Sequence, residues 1–362
     1  MRAPRVTRRL RKTTALNSHE HRLRLTPHIS KPDDRPMDPT DVSAAQKPRT
    51  QPHTALGNRP VTELVRPITV IEAPRLAHRL GCNVFLATET FQRTGSFKFR
   101  AASNLVSCIE HQLVITASSG NFGQALAHAC TLAGKRSMIV MPHTSAAVKI
   151  EAVREYGGEV VLVDTRVKSR AEGVREIARG HAEAYIASAY DDALVIEGNA
   201  TLGREIAALD RVIDCVVAPI GGGGLTSGII TGLRQSARRI AVTAAEPALS
   251  NDAARSFRTG RLIRNESEPQ TLADGARTVS LGDRNWTILK DQLAGIVEVS
   301  EEQIVEAVRL LFTLANLKAE PTGALSVGAL LAQPELFRGR AVCCVISGGN
   351  VDPAVYREIL EA

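Results

Sequence analysis

TGSFKFR, Thr94 to Arg100, sets one lysine, Lys98, between two phenylalanines at the head of a segment with helical spacing, FRAASNLVSCIEH. A lysine alone reads as a solvated surface residue. Three later turns change that reading: SSGNFG (Ser118 to Gly123), GGGGL (Gly221 to Leu225) and SGGN (Ser347 to Asn350). Each follows a run rich in β-branched and other apolar residues, so each reads as the tip of a buried parallel strand leading into a helix. In open α/β sheets such tips converge on one crevice, where ligands bind.

Outward from these turns the chain alternates. Strand-like runs at 113–117, 137–141, 159–163 and 184–188 are separated by helical stretches near 122–133, 145–156 and 168–181, which predicts a small parallel sheet with right-handed crossovers. Gly134, Gly157 and Gly180 stand where helices should end. A second series follows: a helix near 199–209, a strand ending at Ile220, the glycine run, a helix over 225–236 and the strand RIAVTAAE. Ser300 opens a long helix with a capping box completed by Gln303, and AVCCVIS is the last strand. The expected fold is α/β, with two domains of twisted, mainly parallel sheets flanked by helices. The small domain spans 113–191, and the large one joins 56–112 to 192–362. The site is expected between them, because the turns come from both series.

The 362 residues are 44% hydrophobic and carry a formal charge of +7. That charge is local. Residues 1–55 hold 12 Lys+Arg against 5 Asp+Glu, leaving 33 basic and 33 acidic residues in the remainder. The same segment has no aromatic residue of the Phe, Trp or Tyr kind and no Gly, so it reads as a disordered basic extension. TRRLRK (Thr7 to Lys12) has no apolar segment behind it, which argues against export; a transit peptide is weakened by Glu20, Asp33 and Asp34. A dispensable extension or a misassigned start is the plain reading. The neutral remainder argues against nucleic acid as a partner, and no apolar run approaches the ~20 residues of a membrane span. Six cysteines without metal-ligand spacing fit reduced thiols in a cytoplasmic protein.

Four consecutive glycines allow positive φ angles and turn several N–H groups inward. Ahead of a helix they make a nest for a single phosphate, with a flexible turn as the alternative. No Gly-Lys-Ser/Thr follows, so this is not a nucleotide loop of the Walker kind. A phosphate nest with a lysine in a second turn points to pyridoxal phosphate, whose aldehyde needs an amine partner.

On these residues the chain, from about Pro60 to its end, resembles the fold type II pyridoxal-phosphate enzymes, in particular the threonine/serine dehydratase and serine racemase group. GSFKFR, SSGNFGQALA, GGGGLTSG and ISGGN occur in family order, with ADGAR (Ala273 to Arg277) and EPTGA (Glu320 to Ala324) between the last two. The resemblance implies that Lys98 carries the cofactor and, once freed, takes the Cα proton. It implies that Phe97 packs by the ring, and that Asn121 bonds the ring's phenolic oxygen. Ser118, Ser119, Gly120 and Asn121 would hold the substrate carboxylate, Gly221, Gly222, Gly223, Gly224 and Leu225 the phosphate, and Ser347 would face the pyridine nitrogen. The plain alternatives are a helix cap for Ser119 and an ordinary turn for Ser347. AEPALSND resembles a divalent cation site, with Glu246, Asp252 and the carbonyl of Ser250 as hard oxygen ligands for Mg²⁺ or Ca²⁺. A strand-end acid and a helix cap are the alternative there.

The sequence departs from the family pattern at Phe122, where His is usual, at Ala101 in place of Gly, at Asn199 and Ala200 within EGNAT, and at Ala87. These changes leave the cofactor chemistry and bear on the substrate. The expected function is β-elimination from a small β-hydroxy amino acid, L-serine or L-threonine by default, giving a 2-oxo acid and ammonia. The alternatives are racemisation, with Ser119 opposite Lys98 as second proton carrier, and β-replacement. A basic-armed interaction protein with an inactive core is the non-enzyme alternative. Relatives suggest a homodimer. No regulatory domain is expected after Ala362.

Overall fold

The computed structural model describes residues 61–362; the basic extension read at 1–55 lies outside the described residues. In chain order the elements are β1 (Thr69–Glu72), α1 (Pro74–Leu80), β2 (Asn83–Thr88), α2 (Lys98–Cys108), β3 (Leu113–Ala117), α3 (Asn121–Leu132), β4 (Arg136–Pro142), α4 (Ala147–Glu155), β5 (Glu159–Val163), α5 (Arg170–Arg179) and β6 (Tyr185–Ile186). Then come α6 (Ala193–Ala207), β7 (Cys215–Pro219), α7 (Gly224–Arg234), β8 (Ala241–Pro247), α8 (Asp252–Thr259), α9 (Asp283–Leu289), β9 (Gly295–Val299), α10 (Glu301–Ala315), α11 (Pro321–Ala332), β10 (Ala341–Ile346) and α12 (Pro353–Glu361).

Two sheets result, one of six strands in the order β1-β2-β10-β7-β8-β9 and one of four in the order β5-β4-β3-β6. Every pairing is parallel except β1 with β2. The period-2 alternation of the strands explains how both faces of the larger sheet are covered. Cys215 and Val217 of β7 join one apolar cluster with α10 and α11, while Val216 and Ala218 join another with α6 and α7. In the smaller sheet Ile139 and Met141 face one cluster and Val140 the other.

Local chemistry sets the ends of the helices. The Ser300–Gln303 capping box forms, and a second joins Ser169 to Glu172. Gly134 and Gly157 take the left-handed φ of +67° and +83°, whereas Gly180 ends α5 with a right-handed φ of −86°. Two elements differ from expectation. The strand expected at 184–188 shortens to Tyr185–Ile186, because it pairs only with β3 at the sheet margin. The helix expected from 199 starts at Ala193, because the Asp192 carboxylate accepts from the Leu194 N–H and caps it there. No helix among the described residues is long and apolar enough to cross a membrane. Of the six cysteines, all free, five are buried and Cys108 is exposed at the end of α2.

Candidate active site

Three of the turns are joined by hydrogen bonds, and the fourth, the glycine run, packs against Tyr190, whose neighbour Ala189 accepts from Lys98. The loop before α2 pairs with the loop after β10: Phe97 N donates to Ser347 O at 3.0 Å, and Ser96 forms an antiparallel bridge with Gly348. The loop after β3, from the smaller sheet, reaches the same place. Asn121 Nδ2 donates to both oxygens of Glu320 at 2.9 and 3.1 Å, and Asn121 Oδ1 accepts from Asn350 Nδ2 at 2.8 Å.

Lys98 opens α2. Its Nζ donates to Ala189 O at 2.8 Å and stands 4.9 Å from the Phe97 ring centre and 5.6 Å from that of Phe122. No carboxylate lies within ion-pair distance of it among the described residues. Part of Lys98 still meets solvent, but the protein packed around the amine lowers its pKa to about 8, with the Glu320 charge opposing that shift. Glu320 is buried, and its pKa rises to about 8 through desolvation and the neighbouring Asp274, against the pull of Asn121, Lys149 and Lys98. Lys149 of α4 in turn pairs with Asp274 at 2.5 Å.

Of the four glycines in the run, Gly223 alone takes a positive φ. Gly223, at φ +94°, is the N-cap of α7. The loop's carbonyls are tied back, Gly222 O by Asn285 Nδ2 at 2.9 Å and Gly224 O by Asn199 Nδ2 at 3.0 Å. The N–H groups from Gly221 to Leu225 find no acceptor among the described residues. A set of free donors at the positive end of a helix fits a phosphate. Asn199, one of the departures from the family pattern, thus holds the cradle from behind.

The other expected residues are placed as follows. Ser118 is buried, and its hydroxyl oxygen accepts from the N–H groups of Gly123 at 3.1 Å and Gly120 at 3.4 Å, so it is Ser118 rather than Ser119 that serves the start of α3. Ser119 and Gly120 are half-buried, and Ser347 is buried beside Phe97. The proposed metal residues cluster at the start of α8. Glu246 accepts from the N–H groups of Ala253 and Ala254, both at 2.8 Å, and Ser250 Oγ donates to Ala276 O. Asp252 Oδ1 accepts from Asn265, while its buried Oδ2 has no partner. Burial and mutual repulsion raise the pKa of Glu246 well above the usual carboxylate range, and burial raises that of Asp252 to about 6. No group of three or more His, Cys, Asp or Glu residues suited to a metal occurs among the described residues. Glu246 and Asp252 are two carboxylates only, and Glu246 also serves as a helix cap.

Sequence reasoning assigned no role to the Ala189 carbonyl or to Asn350, and quoted Glu320 only within a motif. Their contacts span 91, 229 and 199 residues.

The family profile described as "Pyridoxal-phosphate dependent enzyme" matches residues 61–348. The chain is 36% identical over 285 residues to an L-threo-3-hydroxyaspartate ammonia-lyase of a Pseudomonas species, covering 78% of this chain and 89% of that one. It is 34% identical over 296 residues to the serine racemase of Homo sapiens, covering 78% and 86%. Among solved structures it is similar to a T.th. threonine deaminase, with a TM-score of 0.76, 36% identity and coverage of 81% and 96%.

Proposed function

The chain belongs to the pyridoxal-phosphate dependent enzymes, in the fold type II group of threonine/serine dehydratases and serine racemases, and from that premise we propose that it eliminates the β-hydroxyl of a small β-hydroxy amino acid. The products are a 2-oxo acid and ammonia. The observation that carries this reading is the pairing of a desolvated amine without an ion-pair partner, Lys98, with a cradle of free N–H groups at Gly221–Leu225.

Pyridoxal phosphate, when bound, supplies a sink for the electrons released at the amino acid's Cα. Lys98 Nζ is the group that would carry the cofactor and then accept the Cα proton. An amine with a pKa near 8 is half neutral at that pH, where an ordinary lysine is almost wholly charged. Phe97 and Phe122 keep water from one side of it. Asn121 would donate to the ring oxygen, and the N–H groups of Ser119 and Asn121, in the loop Ser118 to Asn121, would meet the substrate carboxylate. Ser347 would face the ring nitrogen; a neutral hydroxyl cannot keep that nitrogen protonated as a carboxylate would. A weaker sink favours expulsion of the β-hydroxyl over transamination.

For the substrate, L-threo-3-hydroxyaspartate stands ahead of L-serine and L-threonine, following the Pseudomonas relative's name. Its second carboxylate calls for a cation, and Lys149 is close enough for its charge to be felt at Glu320. A divalent ion at Glu246, Ser250 and Asp252 would relieve the repulsion between two buried carboxylates, each of which keeps unused lone pairs.

The test is release of 2-oxo acid from these three amino acids, with borohydride used to fix the cofactor to Lys98. Absence of any 2-oxo acid from a protein that fixes the cofactor at Lys98 sinks elimination. The second reading, racemisation, follows from the 34% identity to serine racemase. It requires inverted, deuterated serine after incubation in deuterated water, and fails without it.

A further inference from the structure

Asn121 is held between two side chains, and its orientation follows from a backbone carbonyl one loop away. Asn350 Nδ2 lies 2.7 Å from Thr94 O. A carbonyl oxygen only accepts, so the nitrogen of the Asn350 amide, not its oxygen, must face Thr94. The same nitrogen lies 2.8 Å from the Asn121 amide, and the atom it meets there must also be an acceptor, Oδ1. That turns the Asn121 nitrogen to the opposite side, where the two oxygens of Glu320 receive it. One hydrogen shared between the two Glu320 oxygens would leave the other for a ligand.

The backbone is cleared for this clamp at two points. Gly95 sits at φ +72°, and a Cβ there would stand only 2.3 Å from Asn350 Oδ1. A Cβ on Gly348 would stand 2.5 Å from Glu320 Oε1. Neither approach tolerates a side chain. An asparagine amide turned by 180° exchanges donor for acceptor with almost no change of shape. Without the clamp, Asn121 could present either face.

We infer that Asn350 and Glu320 are positioning residues that hold Asn121 in one flip, so that it offers an N–H and never its oxygen to the ring oxygen of bound pyridoxal phosphate. The inference rests on the role proposed for Asn121 above. The ionised ring oxygen only accepts; the wrong flip would set two acceptors against each other. A hydrogen bond to a charged acceptor corresponds to about tenfold to hundredfold in affinity.

The experiment measures the dissociation constant of pyridoxal phosphate by equilibrium dialysis for the full chain, Asn350→Asp, Glu320→Ala, Asn121→Ala and the two doubles with Asn121→Ala. Asn350→Asp keeps the shape and removes the donor. It should weaken binding by about tenfold or more, while borohydride still fixes the cofactor to Lys98. Glu320→Ala should weaken it several-fold at about pH 10, where Lys98 has lost its proton with or without the Glu320 charge. In the Asn121→Ala background both losses should shrink to less than about twofold, since no amide remains to be held. A loss that persists undiminished in that background overturns the inference, as does an Asn350→Asp protein that binds like the wild type. Should Asn350→Asp fail to fold, judged by melting of the cofactor-free protein, Asn350→Ala removes the same donor without adding charge and must give the same pattern. A wild type that fixes no cofactor at Lys98 overturns the reading of the site itself, and the inference with it; the wild type alone reveals that outcome.

Discussion

Two cations stand two residues apart at the head of α2 and have opposite fates. Arg100 is enclosed by carboxylates: its Nε and Nη2 meet both oxygens of buried Glu89 at 2.8 Å, and Nη1 and Nη2 meet Glu205 at 2.7 and 2.9 Å. Burial alone would pull its pKa down, but Glu89 and then Glu205 hold it above the ordinary arginine range. Lys98 meets one neutral carbonyl and two aromatic rings, and burial prevails. The difference teaches that a buried cation becomes structural or reactive according to its partners, not its depth. Arg100 anchors the first turn of the helix; Lys98, on the same turn, is left able to lose its proton.

The comparison breaks most sharply if Lys98→Arg remains active. A guanidinium cannot lose its proton or join the cofactor, so 2-oxo acid release should fall by at least about 10³-fold and borohydride should fix nothing. On the other side, Arg100→Met leaves the Glu89 carboxylate buried and unpaired. Urea unfolding should register a loss of about 3–5 kcal/mol; a loss under about 1 kcal/mol would mean the cluster is not an anchor. A third contrast uses carboxylates that form no ion pair among the described residues, Glu246 and Asp252. Ca²⁺ or Mg²⁺ at a hundred times its Kd should stabilise the fold by about 2.7 kcal/mol, seen as a higher Tm. Because the Asp252 pKa is raised to about 6, the gain should grow as pH rises through that value, and Asp252→Asn should abolish it. The finest test concerns the charge that does reach Lys98. Uptake of pyridoxal phosphate by the wild type should rise with pH around a midpoint near 8, as the ammonium gives up its proton. Glu320 opposes the lowering, so Glu320→Gln should move that midpoint downward; an upward move contradicts the assigned neighbourhood.

The parallel sheets and the four turns were legible in the sequence because a β-branched run ending in glycine has few other uses. Lys98, Asn121 and the glycine run could be read for the same reason, as motifs in order. Glu320 and Asn350 were hidden for a physical reason. An acid before proline reads as a helix start, which Glu320 also is, and nothing local shows that its carboxylate faces an amide 199 residues away. Arg100 resembles a surface cation until Glu89 and Glu205 are brought around it. The start of α6 was placed six residues late, at 199 instead of Ala193, and the decisive signal was the single capping acid, Asp192.

The distribution of thiols has a practical consequence. Of the six, only Cys108 is exposed, and it closes the helix that Lys98 opens. Ten residues at 1.5 Å each put its backbone about 15 Å along the helix from that of Lys98. A maleimide fluorophore would therefore attach at one defined spot without mutagenesis. It would lie within energy-transfer range of any chromophore seated on the lysine, so that cofactor arrival and departure could be followed as quenching in real time.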